Sequence, residues 1–154
     1  LSPIGRSALL RVLGAVAPGF GMPNGLESRY LSHRQDVVDA YDGDLLVHPK
    51  ISARLLGAML EAIGFAQAHA SALRVKTLLV VAEDDHLVDA GGSEAFFRKL
   101  APGAGTMHSY PGFYHELFNE AEAGRVFDDV STWLDQLRAA ERGGNQPVSV
   151  KPRL

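Results

Sequence analysis

Two short stretches of this 154-residue chain carry side chains able to do acid–base chemistry. The first is Glu83-Asp84-Asp85-His86-Leu87-Val88-Asp89, and the second is Tyr110-Pro111-Gly112-Phe113-Tyr114-His115-Glu116-Leu117. A carboxylate hydrogen-bonded to an imidazole fixes the ring's tautomer and stabilises the imidazolium that forms on proton uptake. The imidazole can take a proton from a nucleophile and return it to a leaving group. Asp85 and His115 are the candidates for these roles. Asp84 is the fallback acid, because the Glu83-Asp84-Asp85 cluster leaves the register open. Asp89 better suits the N-cap of a following helix. On spacing alone, His115 is as readily a turn histidine behind Pro-Gly, and Asp85 a solvated loop acid.

Such a pair needs elements that bring the two stretches together. Thr77–Ala82 is a continuous apolar run, preceded by basic residues and followed at once by polar ones. It reads as a strand buried on both faces of a parallel sheet. Residues 92–100 form a predicted helix, Thr106–Tyr110 a second strand closed by Pro111-Gly112, and residues 121–137 an amphipathic helix. Val126, Val130, Trp133, Leu134 and Leu137 line one side of that last helix. This is a βαβα unit. In open α/β sheets the functional groups sit just past the carboxyl ends of the strands. One helix and one strand separate Asp85 from His115, so the two loops leave the same end of a parallel pair.

Upstream, the pattern is helical, with no strand signal in the first half. Ile4, Leu9, Val12, Leu13 and Val16 fall near helical spacing, and Pro18, Gly19, Gly21, Pro23 and Gly25 break the chain beyond them. A short helix is expected over 34–42, ending near Gly43. Another runs from about Pro49 to Ile63, with an apolar face of Leu55, Leu56, Met59, Leu60 and Ile63 and a stop at Gly64. The chain from Gly143 onward reads as a frayed tail. His33, His48, His69, His86 and His108 show no partner pattern and read as surface or satisfied histidines. Phe96, Phe97 and Trp133 read as core packing.

With these runs in place, the chain resembles the monoacylglycerol lipase and lysophospholipase group of α/β-hydrolases. The resemblance rests on Val75 to Asp89, on Tyr110-Pro-Gly-Phe-Tyr-His-Glu-Leu-Phe-Asn-Glu120, and on Tyr41-Asp-Gly-Asp-Leu-Leu-Val-His48, which is similar to the segment leading into the group's last cap helix. It covers roughly residues 20–138 and concerns the C-terminal part of the fold only. It implies an α/β fold in which residues 1–72 are a helical cap, 73–140 the core segment with the triad acid and base, and 141–154 a flexible tail. It implies Asp85 as the acid and His115 as the base. Ala82 stands where the group commonly has Gly. The group's nucleophile lies in Gly-x-Ser-x-Gly at a strand-to-helix elbow, a motif these residues lack. Gly5-Arg6-Ser7-Ala8-Leu9 lacks the second glycine and has no buried strand before it. The serine and the oxyanion loop are therefore expected upstream of Leu1.

The implied function is a serine-type ester hydrolase working through an acyl-enzyme, without metal or organic cofactor, on a small acyl ester or lipid, and partnered by the N-terminal part of the hydrolase. A non-catalytic fragment or half of a split hydrolase is the competing class. Peptidase, thioesterase or acyltransferase chemistry would use the same triad. Composition sets the outer bounds. Apolar residues make up 46% and charged residues 21%, as in a globular domain. A net charge of −3 provides no basic footprint for nucleic acid. The lack of cysteine removes disulfides and thiolate metal sites and fits a cytoplasmic location. No run approaches the roughly 18 apolar residues of a membrane span. The apolar stretch from Ala8 to Phe20 reads first as cap core and second as a peripheral membrane contact.

Overall fold

The computed structural model describes residue 12 and residues 14–144. Strands and α-helices alternate along them in the order β1 (Gly21–Pro23), α1 (Gln35–Gly43), β2 (Lys50–Ser52), α2 (Ala53–His69), β3 (Thr77–Ala82), α3 (Ala90–Phe97), β4 (Gly105–Tyr110) and α4 (Ala123–Gly144). Short 3₁₀ turns lie at Ser28–Tyr30, Ala70–Ala72 and Leu117–Asn119. Among the described residues, no helix is long and apolar enough to cross a membrane.

The expected βαβα unit is present. β3 and β4 pair in parallel, from Thr77 opposite Gly105 to Ala82 opposite Tyr110. α3 makes the crossover, and its N-cap is Asp89, whose Oδ1 accepts the Gly91 amide at 2.9 Å. β3 departs from the expectation in burial. Val81 and Ala82 are buried, whereas Thr77–Val80 are only half-buried. Among the described residues β3 pairs with β4 alone, so its other edge has no strand beside it.

α4 closes over the buried end of this pair. Ala82, Tyr110, Phe113 and Val126 form a cluster, with Val80, Leu117 and Val130 packed around it. The Tyr110 hydroxyl donates to Asp129 Oδ2 on α4 at 2.8 Å. Burial, reinforced by that bond and the Asp129 charge, pushes its pKa up to about 12, so it stays a neutral donor. Trp133 and the Phe96-Phe97 pair are half-buried, and Leu134 is exposed.

Several elements differ from expectation, including α3, which spans Ala90–Phe97 rather than 92–100, and α2, which starts at Ala53 rather than near Pro49. β1 and β2 form a small antiparallel ladder, with Met22 opposite Ile51, in a region where no strand was expected. Three-residue strands are too short to show an alternating pattern. α2 passes Gly64 and ends at His69. Its last turn is held to α3 and the turn that follows it, since the Gln67 side-chain amide donates to the Gly92 carbonyl and Gln67 Oε1 accepts from Lys99 Nζ, both at 2.8 Å. The apolar side of α2 is largely uncovered, with Leu55 52% and Ile63 57% exposed. α4 continues through Gly144, so the tail does not begin at Gly143. Of the expected first helix, Val12 and residues 14–16 are helical. The rest of that helix, and residues 145–154, lie outside the described residues.

Gly105 opens β4 beneath the end of α3. A Cβ there would lie 2.4 Å from Leu100 Cδ1 and 3.0 Å from Phe97 Cε2. Both the Leu100 methyl and the edge of the Phe97 ring would have to give way. Gly105→Ala is expected to lower stability by about 1–3 kcal/mol, the usual cost of overpacking. Urea denaturation checks this, and an unchanged midpoint would contradict the packing described.

Candidate active site

Parallel pairing sends the β3–α3 and post-β4 loops out at one end of the sheet. Asp85 lies three residues past β3. Its Oδ1 accepts the amides of Leu87 and Val88 at 2.8 and 2.9 Å. These bonds turn Oδ2 toward the other loop, where it lies 2.8 Å from His115 Nδ1. A carboxylate only accepts, so Nδ1 carries the hydrogen. Nε2 is left with a free lone pair and no partner among the described residues. The Asp85 side chain is 11% exposed and that of His115 37%. The acid is sheltered, and the base reaches the surface. Asp84 is exposed and does not meet His115.

The His115 loop opens with a tight turn. Pro111 and Gly112 occupy its central positions, Gly112 has φ +76°, and the Phe113 amide returns to the Tyr110 carbonyl at 3.3 Å. Proline then positive-φ glycine is the type II turn sequence. The turn buries Phe113 in the core cluster. Tyr114 remains half-buried beside the pair.

Sequence reasoning did not find the second carboxylate of the site. Glu120 ends the Tyr-His-Glu-Leu-Phe-Asn-Glu run, and its side chain is only 3% exposed. Oε1 accepts the Tyr114 amide and His33 Nδ1–H, both at 2.9 Å, and Oε2 accepts the His33 amide at 3.2 Å. His33 therefore has a definite partner, and its ring also stacks on Tyr114 with centroids 3.7 Å apart. The neighbouring residues bond to the same loop. The Tyr30 carbonyl accepts the His115 amide at 3.4 Å, the Leu31 carbonyl accepts the Glu116 amide at 2.8 Å, and Ser32 Oγ donates to the Asn119 carbonyl at 2.9 Å. The Tyr30 ring lies 4.3 Å from His86 and 5.8 Å from Tyr114. Of the other histidines, His69 stacks on Phe65, His108 lies 3.7 Å from Asp129 Oδ2, and His48 is exposed. Among the described residues, no group of three or more His, Cys, Asp or Glu side chains is placed to hold a metal ion.

The family model described as serine aminopeptidase, S33, a hydrolase family, matches residues 2–122. The chain belongs to this hydrolase family. It is 37% identical over 131 residues to a protein named monoacylglycerol lipase from Mycolicibacterium smegmatis, covering 82% of this chain and 45% of that protein. It is 32% identical over 125 residues to a Bacillus subtilis protein named phospholipase YtpA, covering 80% and 48%. The solved structure of a monoacylglycerol lipase from Paleococcus ferrophilus superposes with a TM-score of 0.78 at 33% identity, covering 86% of this chain and 52% of that one. The chain thus has the α/β-hydrolase fold and spans about half the length of these relatives.

Burial pushes the pKa values of Asp85 and Glu120 up. For Asp85 the His115 hydrogen bond and the Val88 and Leu87 amides outweigh burial; for Glu120 the Tyr114 amide and His33 do so. Both carboxyls end below their ordinary values. A carboxyl whose pKa is depressed on folding adds stability above its unfolded value, and that stability is lost as pH falls through the folded value. The urea midpoint is expected to drop on acidification from about pH 5 toward about pH 3, and to drop less steeply in Glu120→Gln. Parallel curves for the two proteins would contradict the assignment of Glu120 as a paired, ionised carboxylate.

Proposed function

We propose that Asp85 and His115 are the acid and base of a serine hydrolase triad, whose serine and oxyanion donors come from a segment outside these 154 residues. The observation that carries this reading is the 2.8 Å bond from His115 Nδ1 to Asp85 Oδ2, with Nε2 left open. Nε2 takes the serine proton as Oγ attacks an ester carbonyl, and the developing imidazolium is stabilised by Asp85. The tetrahedral intermediate collapses when Nε2–H protonates the leaving alcohol, which departs and leaves an acyl-enzyme. Water, deprotonated by the same nitrogen, then releases the carboxylic acid. No metal or organic cofactor enters this chemistry.

The relatives' names favour a lipid ester as substrate, a monoacylglycerol or a lysophospholipid. The family description names an aminopeptidase, and the same triad would serve an amide. Residues 1–72 act as the cap over the catalytic face, and residues 73–140 as the core segment beneath it.

The test is turnover of a monoacylglycerol by the full-length protein that contains these residues and its Gly-x-Ser-x-Gly segment. His115→Ala is expected to abolish hydrolysis, and Asp85→Asn to cost about 10⁴-fold in kcat, as when an imidazole is left in the wrong tautomer. Parent-like turnover in His115→Ala refutes the assignment. Faster cleavage of an aminoacyl amide than of the ester would move the activity to the peptidase side.

A further inference from the structure

Three successive amides of the catalytic loop are held by groups from one short crossing segment or its anchor. The Tyr114 amide goes to Glu120, the His115 amide to the Tyr30 carbonyl, and the Glu116 amide to the Leu31 carbonyl. The first bond closes the loop onto Glu120, six residues further along it, and the other two cross to a segment more than 80 residues away in sequence. The two carbonyls belong to the segment Tyr30–His33, and Glu120 also holds the far end of that segment through both the amide and the ring of His33. Leu31 and Ser32 within it are buried at 2% exposure. An ordinary surface crossing would not be buried, nor would it satisfy a neighbouring loop's amides in order.

The same segment reaches the acid. The Tyr30 ring lies against His86, the residue after Asp85, and against Tyr114, the residue before His115. His86 and Tyr114 are themselves 5.5 Å apart, centroid to centroid, at a steep 79°. One side chain therefore packs between the neighbours of both members of the pair, while its carbonyl takes the amide of the base. Covalently, the two loops are joined only through α3 and β4. A hydrogen bond between them needs to be held within about 0.5 Å by groups that are themselves locked.

We infer that the Tyr30–His33 strap, anchored on Glu120, is the positioning element that sets the Asp85–His115 geometry. This rests on the reading of that pair as catalytic. Tyr30 and Glu120 act through the two loops rather than on substrate. Their loss should therefore lower kcat and leave KM unchanged. It is the Tyr30 ring that matters, since the packing runs through its faces and edges and its hydroxyl has no partner among the described residues.

The experiment uses the full-length protein with Tyr30→Ala, Tyr30→Phe, Glu120→Ala and His115→Ala, assayed for kcat and KM on a monoacylglycerol well below each thermal midpoint. The low-field proton on His115 Nδ1 is read by NMR in the same samples. Tyr30→Ala and Glu120→Ala are expected to lose about 100-fold in kcat, the scale of a 1 Å misplacement, with KM held. The imidazole proton should broaden in both. Tyr30→Phe should restore the parent kcat and the sharp proton. Parent-like kcat in Tyr30→Ala overturns the inference. So does a loss confined to KM, or a Tyr30→Phe as impaired as Tyr30→Ala. If Glu120→Ala does not fold, the Tyr30 pair of variants decides. If His115→Ala keeps its turnover, the catalytic reading fails by itself. The strap is then judged on the imidazole proton, and an unbroadened signal in Tyr30→Ala overturns it.

Discussion

The parallel register of β3 and β4 is the constraint on which the rest of the site depends. With Ala82 opposite Tyr110, both strands end at the same level, and the next residues of each enter a common space. An antiparallel pair would send the loops to opposite ends, and a longer β4 would carry His115 past the acid. The register is held from below by Val126, which is fully buried against Ala82, Tyr110 and Phe113, and by the Tyr110 hydroxyl bound to Asp129 on α4. The apolar cluster and the polar pair above it are thus two levels of one arrangement.

Two carboxylate–imidazole pairs lie in that upper level, and they are alike in chemistry. Asp85 accepts two amides and the His115 ring, while Glu120 accepts two principal amides and the His33 ring. In each, burial opposes the charge and the donors overcome it. Their positions separate them. Asp85 and His115 sit past two strand ends, and the His115 side chain is partly exposed. His33 lies on the strap, its ring stacked flat on Tyr114, and its carboxylate spends one bond on the catalytic loop's backbone. In the proposed function the first pair moves a proton, and in the inference drawn from the strap the second holds the first in place.

The sequence made the first pair legible and concealed the second, for a physical reason. Asp85 and His115 belong to one local unit, a strand–helix–strand whose hydrophobic periods and turn residues are all nearby, so their meeting can be reasoned from order alone. The Asp89 cap and the Pro111-Gly112 turn were readable in the same way. Glu120 and His33 are joined across the fold by a segment with no period, and no spacing rule links a residue before α1 to one before α4. The β1–β2 ladder escaped for a related reason: three residues a side show no alternation, and their pairing is set by where α2 and the preceding turn fall. The type II turn rotates Phe113 inward beside Tyr110 and leaves Tyr114 at the site.

His115 shares its Nδ1 proton with Asp85 and with no other carboxylate of the Glu83–Asp89 run. The most direct measurement is the low-field NMR signal of that proton, followed in Asp85→Asn, Asp84→Asn and Asp89→Asn. The arrangement predicts that the signal vanishes in Asp85→Asn and stays at its parent position in the other two. A signal that survives in Asp85→Asn, or disappears in Asp84→Asn, would contradict it.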